Sequence, residues 1–284
     1  MFPLLAMRSK RWLTILKVCV SLTVFARGWL TWKWDSPIRG LIWNEGWWGE
    51  MVDWEQFALG SDPAITKGLE ILGICLMLSA AVPWIASVDR FKWTASLLVP
   101  MSGVLLLDAF GGYINSGNQL GMAIEHTLQW GCPLLLLMAL REESSSRSWI
   151  VAAAGATILT FVGHGLYAVG FHAVPLKYQT MTTSLTGLSG SGVFAFLTTF
   201  GVLDFVAAAA LLFAPLRRYS LYYLIGWGAL TALARIASAS TIDPWAMETV
   251  VRSSHWIVPL LMFLYWRNTL WSALNQPGGE TKEG

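Results

Sequence analysis

The chain has 284 residues, 55% hydrophobic and 13% charged, with a formal net charge of +2 and a mean hydropathy of +0.53. A soluble domain carries about a quarter charged residues, so this chain lacks the side chains to cover a water-facing surface. The small net charge and the want of a basic patch with interleaved aromatics exclude nucleic acid as a partner; the partner these numbers call for is the lipid bilayer. Seventeen Trp fit many helix ends held at headgroup level, where amphipathic rings collect.

Runs of roughly 20 mostly apolar residues are the lengths that cross a bilayer. They fall at about 12–32, 69–87, 94–114, 121–140, 149–171, 193–214, 220–239 and 251–270. The reading is an all-α polytopic transmembrane helix bundle of about eight spans. An N-terminal signal peptide, with Arg8, Lys10 and Arg11 ahead of Val24-Phe25-Ala26, is the competing reading of the start. Lys17 interrupts its apolar run, and cleavage would leave an odd number of spans.

Residues 33–66 are too polar to span and too rich in Trp for a free linker, which points to an interfacial helix or a partly re-entrant cap. With the N-terminus inside, the inner segments hold Arg8, Lys10, Arg11, Arg90, Lys92, Arg141, Arg147, Arg217, Arg218, Arg267 and Lys282. The outer ones hold Lys33, Arg39, Lys67, Lys177 and Arg252. Eleven against five places both termini in the cytoplasm, in a cell inner membrane. Residues 275–284 read as a short disordered tail. Cys19, Cys75 and Cys132 lie in apolar runs without a CxxC pair, so neither a disulfide framework nor a metal site is expected.

An internal repeat organises the spans. Trp130-Gly-Cys-Pro133-Leu-Leu and Trp256-Ile-Val-Pro259-Leu-Leu share one pattern, each with an Arg (Arg141, Arg267) eight residues after its Pro. Glu70 and Asp204 each precede a small-residue run ending at a Pro and a basic turn. Phe25-Ala-Arg27-Gly28 and Phe161-Val-Gly-His164-Gly165 pair the first and fifth spans. Two parallel four-helix halves are the simplest account, at 1–145 and 146–274.

On these residues the chain resembles the DoxX-type membrane proteins, through Gly68-Leu-Glu70-Ile-Leu-Gly73 and, more loosely, Gly201-Val-Leu-Asp204. The resemblance implies a fused pair of four-helix bundles. The HTTM proteins are a second family it is similar to. One DoxX-like branch is a subunit of a thiosulfate:quinone oxidoreductase, so the resemblance implies quinone as the cofactor to consider. The chain departs from the family where Arg27-Gly28-Trp29 ends the first span and in having the Trp-rich segment.

Ionisable groups at membrane depth are costly and face the bundle interior. Arg27, Glu70, Asp108, Glu125, His126, His164, Arg235 and His255 fall in the outer halves of their spans, with His172 and Arg252, and Asp204 lies near mid-depth. They are the candidate ligand-binding residues of an outward-facing polar cavity. The alternative is that they only neutralise one another, Arg27 with Glu70 or Asp108 and Asp204 with Arg235. Glu125-His126 with Asp108 also has the groups for acid–base chemistry, with no nucleophile or metal motif beside it. Haem b held by paired histidines is not favoured, because no haem-binding spacing is present. Gly187-Leu-Ser-Gly-Ser-Gly192 lacks the strand and Lys of a phosphate loop and reads as a connector. Three functions remain: a quinone-linked redox subunit, a carrier of a small polar or amphipathic molecule, and a membrane partner of a larger complex docking through its Trp-rich segment.

Overall fold

The computed structural model describes residues 10–86, 89–141, 146–239 and 241–274. Arg8, the boundary near residue 145 and the tail 275–284 lie outside the described residues. Among those described, every regular element is a helix.

Helix α1 (Lys10–Lys33) leads into three short helices, α2 (Ile38–Ile42), α3 (Glu45–Trp48) and α4 (Trp54–Gly60), which make up the Trp-rich segment. Asp53 caps α4 by accepting from Gln56 N at 3.1 Å. Arg39 ties the segment down, bonding Asp35 at 2.6 Å, Asp62 at 2.5 Å and Thr66 at 3.0 Å. Helix α5 (Asp62–Ser79) starts with Pro in its first turn, where a missing N–H costs nothing. The short α6 (Val82–Ile85) and a 3-10 stretch (Asp89–Leu97) lead to α7 (Leu98–Asn115). Helices α8 (Leu120–Glu125) and α9 (Thr127–Leu140) are separated at His126, and α10 (Ser146–Ala168) follows. Helix α11 (Leu176–Thr186) ends on Gly187 at φ +72°, whose N–H bonds Thr183 O, a left-handed cap that glycine adopts without strain. The chain closes with α12 (Ser191–Ala210), α13 (Arg217–Ala237), α14 (Ile242–Val251) and α15 (Ser254–Leu274).

Five stretches are long and apolar enough to cross a membrane: Arg11–Lys33, Asp62–Ile85, Arg90–Asn115, Arg147–Ala168 and Ser191–Ala210. They fall on the first, second, third, fifth and sixth of the expected spans. The fourth, seventh and eighth are helical too but do not meet that measure among the described residues. His126 breaks the fourth, Arg217, Arg218 and Arg235 charge the seventh, and His255 and Arg267 lower the hydropathy of the eighth. Leu78, Leu107, Val151, Val206 and Leu233 stand exposed on these helices, an apolar exterior that water would not tolerate and lipid would cover.

The core is shared between the two halves of the chain. Leu16, Cys19, Leu128, Leu136, Trp149, Ala153, Leu224, Val258, Leu261 and Met262 are fully buried in one cluster. Its hydrogen bonds recur at fixed offsets. Trp12 Nε1 on α1 donates to Leu261 O on α15 at 3.3 Å. Trp149, 137 residues on, donates from α10 to Leu135 O on α9 at 3.0 Å. Leu135 stands 126 residues before Leu261, the same step that separates Trp130 from Trp256. Thr23 on α1 meets Ser253 at 3.3 Å, and Thr160, again 137 residues on, accepts from Leu128 N at 3.0 Å.

Close glycine contacts follow the same step. A Cβ on Gly28 would lie 2.7 Å from Gly73 O, and one on Gly165 would lie 3.0 Å from Gly201 O. Small residues let two backbones approach this way. The pairing sets Gly73 against Gly201, so the Glu70–Asp204 correspondence drawn from sequence is out of register. Glu70 comes three residues before its glycine and Asp204 three after, so relative to that contact they stand about 120° apart around their helices.

Candidate functional site

Polar side chains gather where α1, α7, α9, α14 and α15 converge, under the Trp-rich segment and α11. Arg27 pairs with Asp108 at 3.2 Å and donates to Gln129 Oε1 at 3.1 Å. Ser36, at the foot of the Trp-rich segment, donates to the other Asp108 oxygen at 2.8 Å. Gln129 Nε2 continues the line to His255 at 3.4 Å. Gln129 and His255 each stand immediately before the Trp of a W-x-x-P-L-L run, and the two side chains meet each other.

A second line runs through the other half. Arg252 is bonded to Glu248 on the preceding helix and lies 3.9 Å from Glu125. Glu125 also has His126 Nε2 at 3.7 Å and accepts the phenol proton of Tyr178 at 3.2 Å. Tyr178 has one proton, so its 3.3 Å contact with His164 requires the imidazole to donate from Nε2. His164 Nδ1 then faces Asp204 Oδ2 at 4.0 Å, and the other Asp204 oxygen accepts from Tyr223 at 2.8 Å. Gly163 has to be small for this arrangement, because its missing Cβ would press on the Glu125 backbone.

Between the first line and α11 lies a cavity of about 270 Å³, lined by Arg27, Asp108, His126, Lys177, Glu248 and Arg252 among others. Two of its cations are matched, Arg27 by Asp108 and Arg252 by Glu248. Lys177 has no carboxylate within 4 Å among the described residues, so the cavity lining holds one more cation than carboxylates, with Glu125 behind Arg252. Burial and then the Arg252 charge push the Lys177 amine below its usual range. Burial pushes the Glu248 carboxyl up, but Arg252, then Arg27, Lys177 and Arg235, more than offset this and hold it below the usual carboxylate range.

The residues expected to share one cavity divide into three groups. Arg27, Asp108, His126 and, through Gln129, His255 belong to the outer cavity. Glu125 and His164 form the bridge to Asp204. Glu70 joins neither, since it sits at the surface of α5 and pairs with Lys67 at 2.9 Å. The Asp204–Arg235 pair expected from sequence does not form. Tyr223, the Asp204 partner, lies twelve residues from Arg235 on α13, about 18 Å along the axis. Arg235 instead folds back to donate from Nη1 to Thr231 O at 2.6 Å.

Sequence reading passed over Gln129, Tyr178, Glu248 and Tyr223, and took Lys177 only as an outer charge. Gln129 was legible as standing before its Trp as His255 does, and Glu248 as the residue one turn before Arg252. Tyr178 and Lys177 carried no signal of a site, because α11 lies in a connection between spans.

The histidines serve separate structures. His126 Nδ1 bonds Met122 O at 2.9 Å, and His172 accepts from Gly121 N at 3.1 Å. Among the described residues no group of three or more His, Cys, Asp and Glu is placed to hold a metal ion. No family model, no curated protein and no solved structure matches the chain.

Proposed function

We propose that the chain is a DoxX-like protein of eight spans in two parallel four-helix repeats, and that its outward-facing cavity binds a small anionic group. Both termini lie in the cytoplasm in this reading, and the membrane is a cell inner membrane. The indole, hydroxyl and glycine of α1 that recur 137 residues on in α10 support the repeat, and the excess of Lys and Arg in alternate connections supports the orientation.

The observation that carries the function is the unmatched Lys177 in a cavity already holding two internally neutralised arginines. A half-buried cation without a close counter-ion is unfavourable, and an entering anion relieves that cost. In this reading the protein is a carrier or receptor for the anion. The test is titration calorimetry of the full chain in nanodiscs with phosphate, sulfate, acetate and succinate. At least one should bind, and Lys177→Gln should weaken it tenfold or more. Absence of binding by all four, or binding indifferent to Lys177→Gln, contradicts the reading.

A quinone-linked role is the second reading. Tyr178 and His164 stack at 5.2 Å beside an apolar pocket, and the open N–H groups of Arg235 on its wall are donors that a quinone oxygen takes. Loss of decylubiquinone reduction by membranes on His164→Gln would support it, and an unchanged rate would remove it. In either case the exposed Trp47 and Trp48 are the proposed docking face for other membrane subunits.

A further inference from the structure

A second cavity, of about 360 Å³, opens between α10, α11, α12 and α13. One wall is apolar, with Met181, Phe196, Leu197, Phe200 and Leu230. The other is polar, with His164, Tyr178, Asp204 and Arg235. Leu185 and Leu230 at its rim are exposed, on the side of the helices where lipid chains would lie.

Its polar wall has unmet hydrogen bonds. Arg235 Nε and Nη2 are buried without a partner among the described residues, while the Trp227 indole N–H and Asp204 Oδ2, also short of a well-formed bond, lie near each other on the same wall. Asp204 is 0% and Arg235 1% exposed. Buried polar groups in native proteins are nearly always bonded, and a guanidinium edge left open on the wall of a cavity calls for an occupant. Nη1 of Arg235 is already used on Thr231 O. What remains is the Nε–Nη2 edge, the side of a guanidinium that grips a carboxylate or phosphate with two parallel bonds. Thr231, to which the guanidinium folds back, is one turn from Trp227, about 6 Å along the helix. At that deeper level His164 Nδ1 and Asp204 Oδ2 face each other at 4.0 Å, both presenting lone pairs to a donor.

We infer that this pocket binds a lipid whose head carries an oxyanion next to an amine. The oxyanion sits on the Nε–Nη2 edge of Arg235, the donor reaches Asp204, and the chain leaves over Phe196, Phe200 and Leu230. The site is separate from the outer cavity and does not depend on Lys177. Its occupant enters from the bilayer, which the apolar wall and rim require. A free soluble anion would gain nothing from them.

The experiment is native mass spectrometry and titration of the full chain in maltoside micelles with lysophosphatidylethanolamine. Controls are glycerophosphoethanolamine, which lacks the chain, monoacylglycerol, which lacks the oxyanion, and lysophosphatidic acid, which lacks the amine. One lysophosphatidylethanolamine should bind per chain, at least tenfold tighter than either of the first two controls. Arg235→Lys keeps the charge but loses the two-pronged edge, and should weaken binding about tenfold. Asp204→Asn should weaken lysophosphatidylethanolamine but leave lysophosphatidic acid unchanged. Leu230→Trp, at the exposed rim, should block entry without altering the fold by circular dichroism. Equal binding of monoacylglycerol, equal binding of the chainless head, or indifference to Arg235→Lys would each overturn the proposal. Preference for decylubiquinone over the lysolipid would hand the pocket to a quinone and overturn it too.

Discussion

Trp12 and Trp149 meet edge to face in the centre of the protein, their rings 4.7 Å apart at 72°. Each donates its indole N–H to a carbonyl in the last long helix of the opposite half. Neither half is therefore a finished unit, because each contributes the carbonyl that satisfies the other's buried indole. Trp12→Phe and Trp149→Phe should each cost about 1–2 kcal/mol, for a lost hydrogen bond and a smaller ring. Thermal unfolding of the two variants would measure this. Comparable losses are expected, and a silent variant on one side only would contradict the equivalence.

The Gly28–Gly73 contact gives a prediction with an internal control. A Cβ on Gly28 meets backbone that cannot swing aside, 2.7 Å from Gly73 O and 2.8 Å from Met77 N. Gly28→Ala should destabilise by about 1–3 kcal/mol, the range for overpacking. Gly68 on α5 has nothing within 4 Å, so Gly68→Ala should stabilise by about 0.5–1 kcal/mol through helix propensity. The two unfolding temperatures should move in opposite directions.

Asp108 and Glu70 were both candidates for the buried partner of Arg27, and the structure separates them. Asp108→Asn leaves the buried Arg27 without its counter-charge and should cost about 3 kcal/mol or more. Glu70→Gln removes an exposed pair with Lys67 and should stay within about 0.5 kcal/mol. Denaturant unfolding of the pair tests both, and equal effects would count against the assignment.

Glu248 makes stability depend on pH in a definite direction. Its carboxyl is held below its ordinary value of 4.5 in the folded protein. A depressed carboxylate contributes stability that is fully present above that ordinary value and lost as pH falls through the folded one. The unfolding temperature should drop below pH 4.5 more steeply for the wild type than for Glu248→Gln. Parallel curves would show that Arg252 does not hold this charge.

The all-helical class and the approximate place of every long helix were legible in the sequence, because long apolar runs with few charges form helices, five of them here long and apolar enough to cross a membrane among the described residues. Register was not. Glu70 and Asp204 looked equivalent by residue type, but the backbone contact at Gly73 and Gly201 decides which residues correspond, and glycine carries no side chain to signal it. Arg27 with Asp108 was readable as one of two options, since charge alone leaves the choice of partner open. The Asp204–Arg235 pair failed because opposite charge says nothing about distance along a helix. Lys177 was read only as an outer charge and Tyr178 not at all, because α11, between two spans, contributes to both cavities from outside the expected bundle.

The central claim is that the Lys177 cavity opens to the outside. Lys177→Cys, in a chain with Cys19, Cys75 and Cys132 replaced by Ala, can be challenged with a membrane-impermeant maleimide. The account predicts labelling in intact cells and none in inside-out vesicles unless they are permeabilised. Labelling of inside-out vesicles with intact cells protected would contradict it.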